Sequence, residues 1–303
     1  MSLVVNNNLM AANVARNLNA HYGRLQTSTQ RLSSGLRVNS AADDAAGLAI
    51  RELQRADIAA LQQGARNAND AISMIQTADG ALGVIDEKLI RMKELAEQAA
   101  TGTYSSTQRL MIESEYQAMA SEITRIANAT DFNGMKLLDG TLSAANVNDP
   151  AASHDGSGLV STGPMKIHFG TGNDSAEDYY YVTIGNCTAS ALGVGNEAGV
   201  DAAAYTVSTQ ARAQQALEGI NKAIESKDKI RAHLGAMQNR LENTITNLNV
   251  QAENLQAAES RISDVDVATE MTQFVRNQIL TQSAVAMLGQ ANSLPQMAMQ
   301  LIG

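Results

Sequence analysis

Three features of the chain predict a mainly α fold, an elongated antiparallel helical bundle or coiled coil with a small β-hairpin region. Helix breakers are nearly absent: the three prolines fall at 150, 164 and 295, and the long stretches between are rich in Ala, Leu, Gln, Glu and Arg. Apolar residues recur at heptad spacing in three separate segments. Aromatic residues make up only 3% of the 303 residues, with no Trp and three Phe, which is thin for the compact core of an enzyme of this size.

Leu18, Leu25 and Leu32 place a heptad on an N-terminal helix. In NSAADDAAGLAIRELQ, residues 39–54, Ser40 precedes Asp43 by three residues ahead of a helical apolar pattern. That spacing predicts an N-terminal cap, with the hydroxyl satisfying a free backbone N–H and the acids favouring the positive end of the helix dipole. A helix over about 41–99 then carries the seam Leu61, Ala68, Ile75, Leu82 and Leu89, accompanied by Ile58, Ala65 and Ile72. The short link ATGTYSS suits only an antiparallel turn into a third helix, about 105–128, with Ile112, Tyr116, Met119, Ile123 and Ile126.

Between about 131 and 207 the composition changes. Asn133-Gly134 and Asp139-Gly140 are turn dipeptides, PMKIHFG alternates Met165, Ile167 and Phe169 with Lys166 and His168, and DYYYVTIG is β-branched and aromatic, so short strands in one or two hairpins are expected. From 141 to 205 Lys166 is the only base against seven acids (Asp149, Asp155, Asp174, Glu177, Asp178, Glu197 and Asp201), which suits a solvent-facing segment.

A fourth helix, about 208–262, repeats Leu234, Leu241, Leu248, Leu255 and Ile262 every seven residues, with Ile230, Met237 and Ile245 one turn away. At ~1.5 Å per residue it would be roughly 80 Å long. In SRISDVDVATE the capping device recurs, with Ser263 and Asp266 where the last helix begins. The final 36 residues hold only Glu270 and Arg276 as charges and spread apolar side chains around much of the helix, which therefore needs partners on several sides. The expected organisation is residues 1–42 with 264–303 as a terminal coiled coil, 43–130 with 208–263 as a helical rod, and 131–207 as its hairpin-bearing surface segment.

The net charge of −9 argues against nucleic-acid binding, which draws affinity from a basic face that releases counterions. No apolar run approaches the ~18 residues of a membrane span, so no membrane insertion is expected. The start, MSLVVNNNLM, lacks the layout of a cleaved secretory signal. Residues 1–42 carry Arg16, Arg24, Arg31 and Arg37 without an acid, as a transit peptide does, but a removable presequence would not need a matching apolar helix at the far end. The single cysteine, Cys187, can form neither an intramolecular disulfide nor a CxxC pair.

Catalytic patterns are absent: there is no HExxH, GxxxxGK[ST], GxSxG or GxGxxG, and the glycines of GVGNEAG, residues 193–199, are spaced as a flexible link. His21, His154, His168 and His233 are scattered, and Asp264, Asp266 and Glu270 lack the spaced ligands and sharp-turn Gly of a calcium loop. Asp43 and Asp44 are explained by capping. No catalytic residue, metal or cofactor is expected, and the chain is not expected to be an enzyme.

The motifs NNNLMAANVARNLN, RLSSGLRVNSAADDAAGLAI, DFNGMKLLDG, LGAMQNRLENTITNLNVQAENLQAAESRI and ILTQSAVAMLGQANSLPQMAMQLI resemble those of the bacterial flagellins, over essentially the whole chain outside its middle. The resemblance implies a structural subunit that polymerises with copies of itself into the motility filament, with the paired chain ends inside and the rod next outward. Leu18, Leu25, Leu32, Phe274, Leu280, Leu288, Leu294 and Leu301 are then the side chains expected to pack the filament core.

It also implies export, uncleaved, through the flagellar type III apparatus, a chaperone on the C-terminal helix, hook-associated partners and an extracellular location. With only about seventy residues in the middle, a thin, smooth filament without outer domains is expected, and the missing HExxH argues against the metalloprotease of some relatives. A Toll-like receptor reads the rod of many flagellins; LIRMKELAEQAA is similar to the recognised segment and implies contacts at Arg91, Leu95 and Glu115. A hook–filament junction protein of the same family is the alternative. A secreted enzyme on a coiled-coil scaffold would need a catalytic cluster in 141–205, where none is visible.

Overall fold

The computed structural model describes residues 8–143, 163–174, 177–195 and 205–302, with side chains of the last helix described through 293 and at 297. Five helices and four short strands follow in the order α1 (Leu9–Ser34), α2 (Ala45–Ala100), α3 (Ser106–Ala129), β1 (Asp131–Phe132), β2 (Met135–Lys136), β3 (Met165–His168), β4 (Tyr179–Val182), α4 (Gln210–Ser263) and α5 (Val267–Ile302). The chain divides into two compact units, Met1–Ile58 with Glu253–Gly303 and Ala59–Ala252. The division falls inside α2 and α4, whereas the sequence places it at the helix breaks. The first turns of α2 and the last of α4 belong with the linkers: Arg51 donates to the Val38 carbonyl, and Arg55 reaches Glu259.

In the larger unit the heptad residues become the core. Leu82 and Leu89 of α2, Tyr116 and Ile123 of α3, and Ile220, Leu234 and Leu241 of α4 are all buried in one cluster. Each such aliphatic side chain contributes ~1.5–3 kcal/mol. Two ion pairs join the long helices, Arg231 to Asp79 at 2.7 Å and Lys227 to Asp86 at 2.5 Å. The α2–α3 link ends in a capping box that the sequence reading passed over: Ser105 accepts from the Gln108 amide while the Gln108 side chain accepts from the Ser105 amide.

Two hairpins form, where one or two were expected, but only one of the two turn dipeptides makes one. Asn133 and Gly134, both at positive φ, carry β1 into β2, as a two-residue primed turn requires. Asp139-Gly140 turns the chain without flanking strands, and the second hairpin pairs β3 with β4, Met165 opposite Val182 and His168 opposite Tyr179. It lies against α2 at Gly64, where a Cβ would stand 2.0 Å from the Phe169 carbonyl oxygen. The acids Asp149, Asp155, Glu197 and Asp201 lie outside the described residues.

In the smaller unit α1 packs on α5. Gly35, in the left-handed conformation, ends α1 and donates to the Arg31 carbonyl. The two linkers then pair: Leu36 bridges Asp264, the Arg37 amide donates to the Ser263 carbonyl, and the Val265 amide to the Gly35 carbonyl.

Candidate functional site

The smaller unit is built inside out. Along α1 a 3-4 repeat of half-buried and buried positions runs through Ala11, Val14, Leu18, His21, Leu25, Ser28 and Leu32, with Ala15, Thr27 and Arg31 half-buried beside it; along α5 the repeat is Glu270, Phe274, Asn277, Thr281, Ala284, Leu288 and Ala291. Among the described residues this unit buries two hydrophobic side chains, Val38 and Ala291, against six polar ones, Ser28, Arg51, Ser263, Glu270, Asn277 and Thr281. Apart from Phe274 and Leu288, large apolar side chains of α5 point the other way: Met271, Val275, Val285 and Met287 are exposed, and Ile279 is 57% exposed. The expected packing residues therefore separate. Leu18, Leu25, Leu32, Phe274 and Leu288 are half-buried on the α1–α5 seam, whereas Leu280 lies off the seam and is exposed. The side chains of Leu294 and Leu301 lie outside the description.

Pro295 sits inside α5 and has no N–H to give the carbonyl of Ala291 four residues earlier. The Asn8 side chain, 2.8 Å away, donates to that carbonyl instead, and its own oxygen accepts from the Ala11 amide to cap α1. One residue thus satisfies groups in both end helices.

The capping expectation needs correction at three residues, Ser40, Asp43 and Ser263. The helix begins at Ala45, later than expected, and Asp44 accepts the free Gly47 amide; the Ser40 hydroxyl and amide donate instead to Asp43, closing a turn before the helix. Asp43, held below the usual carboxylate range chiefly by the Ser40 hydroxyl, also stands 3.9 Å from Arg31. Ser263 closes α4 with its hydroxyl on Asp264, so it caps no N-terminus, while Asp266 accepts from the Ala268 and Thr269 amides at the start of α5. The Thr269 hydroxyl and those two amides lower the Asp266 pKa.

On the larger unit, Arg91 pairs with Glu115 at 2.8 Å and with Glu94 at 2.9 Å, all three exposed. Leu95 does not join them. At 2% exposure it lies in the core, at the edge of a wide buried arc of α2 that also takes in Met92, Ala96 and Ala99, with Arg91 just outside that edge. It can support the patch but not touch a partner docking from solvent. Among the described residues no group of His, Cys, Asp and Glu could hold a metal, and no helix is long and apolar enough to cross a membrane. Burial pushes the Cys187 thiol up to about 12, leaving no thiolate nucleophile near neutral pH.

Comparison with known proteins bears on what these helices are. The family model of the bacterial flagellin N-terminal helical region matches residues 5–143, and that of the bacterial flagellin C-terminal helical region matches 217–302. A flagellin of Halalkalibacterium halodurans is 40% identical over 300 residues, 99% of this chain and 100% of its own. The chain belongs to the bacterial flagellin family. A flagellin of Bacillus subtilis is 41% identical over 98% of this chain and 99% of its own, and the flagellar filament 33 kDa core protein of Treponema phagedenis is 41% identical over 99% and 100%. The crystal structure of Bacillus cereus flagellin aligns over 64% of this chain and 94% of that one, with 29% identity and a TM-score of 0.45. Like the flagellins, the chain is structural and not an enzyme.

Proposed function

We propose that the chain is a subunit of the bacterial flagellar filament and polymerises with copies of itself through the outward apolar face of α5. The observation that carries this reading is the inside-out smaller unit: Val275, Ile279 and Met287 are exposed on a helix whose seam to α1 is largely polar or small, so the apolar area is free for further chains. Membership of the flagellin family supplies the partner, and curated relatives of similar length are described as flagellins and flagellar filament core proteins. The subunit is extracellular, reaches the filament through the flagellar type III apparatus, has its C-terminal helix covered by a chaperone before export, and meets hook-associated proteins at the filament base. Residues 1–42 with 264–303 form the inner layer and 43–130 with 208–263 the rod around it.

The test is electron microscopy and sedimentation of purified monomer after adding filament seeds or ammonium sulfate. The full chain should give long tubes; a chain lacking residues 268–303 and the double variant Val275→Asn, Ile279→Asn should not, the latter with its helicity retained. A full chain that stays monomeric with seeds would sink the filament reading and favour a hook–filament junction role.

A second reading concerns Arg91 and Glu115, which sit together on the exposed surface of α2 and α3. They form the patch by which free subunits engage the animal Toll-like flagellin receptor, and Leu95 backs it from within. Because the two side chains already pair, a partner must exchange this ion pair for its own. An Arg91→Ala, Glu115→Ala variant should lose most signalling in a reporter cell; unchanged signalling would refute the patch.

A further inference from the structure

Asn133-Gly134 is the only Asn-Gly dipeptide in the chain. A glycine presents the least hindered backbone nitrogen to the side chain before it, so Asn133 is the asparagine most open to deamidation. In that reaction the Gly134 nitrogen gives its proton to hydroxide or a buffer base and attacks the Asn133 Cγ. The new C–N bond closes a five-membered succinimide, and the bond from Cγ to Nδ2 breaks, the nitrogen taking up a proton and leaving as ammonia. Water then opens the ring at either carbonyl. One opening leaves an aspartyl residue at 133, the other an isoaspartyl residue whose backbone is longer by one methylene. Neither an oxidant nor a cofactor is consumed.

The β1–β2 hairpin controls both partners of this attack. Asn133 and Gly134 have φ of 51° and 81°, and Phe132 stands opposite Met135, which makes a two-residue type I′ turn. Such a turn holds ψ of its first central residue near about +30°. Ring closure needs the Asn133 Cβ and the Gly134 nitrogen to eclipse across the Cα–C bond, whereas at that ψ they stand nearly on opposite sides of it. The nitrogen and Cγ are thereby kept from the near-attack separation of about 3–3.5 Å. The Gly134 N–H also donates to the Asp131 carboxylate at 3.2 Å, which holds its proton and sets a negative charge beside the atom that has to become negative. The Asn133 side chain is exposed and makes no hydrogen bond among the described residues, so the backbone and Asp131 alone restrain the reaction. The turn is itself anchored. At its foot the Leu137 amide donates to the Thr130 carbonyl, and Leu137 and Leu138 are fully buried in the core of the larger unit, so reopening the hairpin also disturbs that core.

We propose that Asn133 is a self-modification site gated by the fold, closed to deamidation in the folded hairpin and open in the unfolded chain, with Asp131 as the clamp on the attacking nitrogen. The isoaspartyl product works against refolding, because its extra methylene breaks the two-residue spacing that sets Phe132 opposite Met135. Chains that stay unfolded therefore accumulate a lesion that hinders their later folding, while folded chains keep Asn133. The gate lies wholly within the larger unit and operates in a single chain.

The full-length chain is incubated at one temperature and one mildly alkaline pH, in buffer and in a denaturing concentration of guanidinium chloride, and deamidation at each Asn is followed by peptide mapping with mass spectrometry. Isoaspartyl product is counted by labelling with an isoaspartyl methyltransferase. Asn133 should be the fastest asparagine of the unfolded chain, and its rate in the folded chain should be at least about tenfold lower. Asp131→Ala should raise the folded rate several-fold and leave the unfolded rate nearly unchanged. When a half-modified sample is returned to buffer and treated briefly with protease, isoaspartyl chains should be digested first. Equal rates at Asn133 in the two states overturn the gate, and another asparagine leading in the unfolded chain overturns the site. An unchanged folded rate in Asp131→Ala overturns the clamp, and equal digestion of modified and unmodified chains overturns the effect on refolding.

Discussion

Lys227 occupies a heptad position of α4 between Ala223 and Leu234 where the pattern asks for a small or aliphatic side chain, and it is 1% exposed. Its ammonium survives there by bonding Asp86 at 2.5 Å and Asp228 at 2.7 Å. A buried pair of this kind is costly to break and cheap to replace. Asp86→Ala should therefore destabilise the chain by about 3 kcal/mol, the low end of the penalty because Asp228 keeps one bond, while Lys227→Met should leave the melting temperature unchanged or higher. Denaturant unfolding of the two variants checks this, and equal losses in both would show that the pair contributes net stability. The paired sites also fix register: a one-heptad slip of α2 along α4 would bring Lys93 to Lys227 in one direction, and in the other would leave Arg231 facing Ile72 in place of Asp79. Asp266 makes a second residue-scale case. Its pKa is lowered by Thr269 and the first amides of α5, so its contribution is full above its ordinary 3.8 and is lost as pH falls through the lowered value. The start of α5 should fray in that acid window, and Asp266→Asn should remove most of the dependence, as read by residue-resolved hydrogen exchange.

Among the elements, the β3–β4 hairpin is held by a close backbone approach. A Cβ at Gly64 would meet the Phe169 carbonyl oxygen at 2.0 Å, so the hairpin is admitted only where α2 lacks a side chain. Gly64→Ala gains helix propensity of ~1 kcal/mol in α2 yet must push Phe169 away. The expected result is a less stable chain, in which the Phe169–Tyr180 ring contact and the Arg240–Tyr180 stack lose their order; more stable behaviour than wild type would mean the hairpin does not bear on α2. Such contacts were not legible in the sequence, because they depend on which surfaces meet after folding. The helices were legible to within a few residues, since heptads of Leu, Ile and Ala dictate both period and buried face. Caps were half legible: Ser40 and Asp43 have the right spacing, but Asp44 is one turn nearer the first free amide and wins. Leu95 misled for a similar reason, because motif likeness places a residue on a helix without saying which side of it faces solvent.

At the scale of the whole molecule the two units differ in what holds them. Ala59–Ala252 has a continuous apolar core from α2, α3, α4 and the hairpins, whereas the described residues of the other unit bury Val38 and Ala291 and otherwise polar groups. Local opening free energy follows buried apolar area, so the two should not unfold together. In monomeric protein the amides of α1 and α5 should exchange at least about a thousandfold faster than those around Leu82, Tyr116 and Leu234, which open only with global unfolding. Polymerisation should slow the former, because exposed Val275, Ile279 and Met287 then leave water. Val275→Asn with Ile279→Asn should abolish that slowing. Core-like protection of α5 in the monomer would contradict the inside-out reading, since a helix already secured by its own chain has no need of neighbours to cover it.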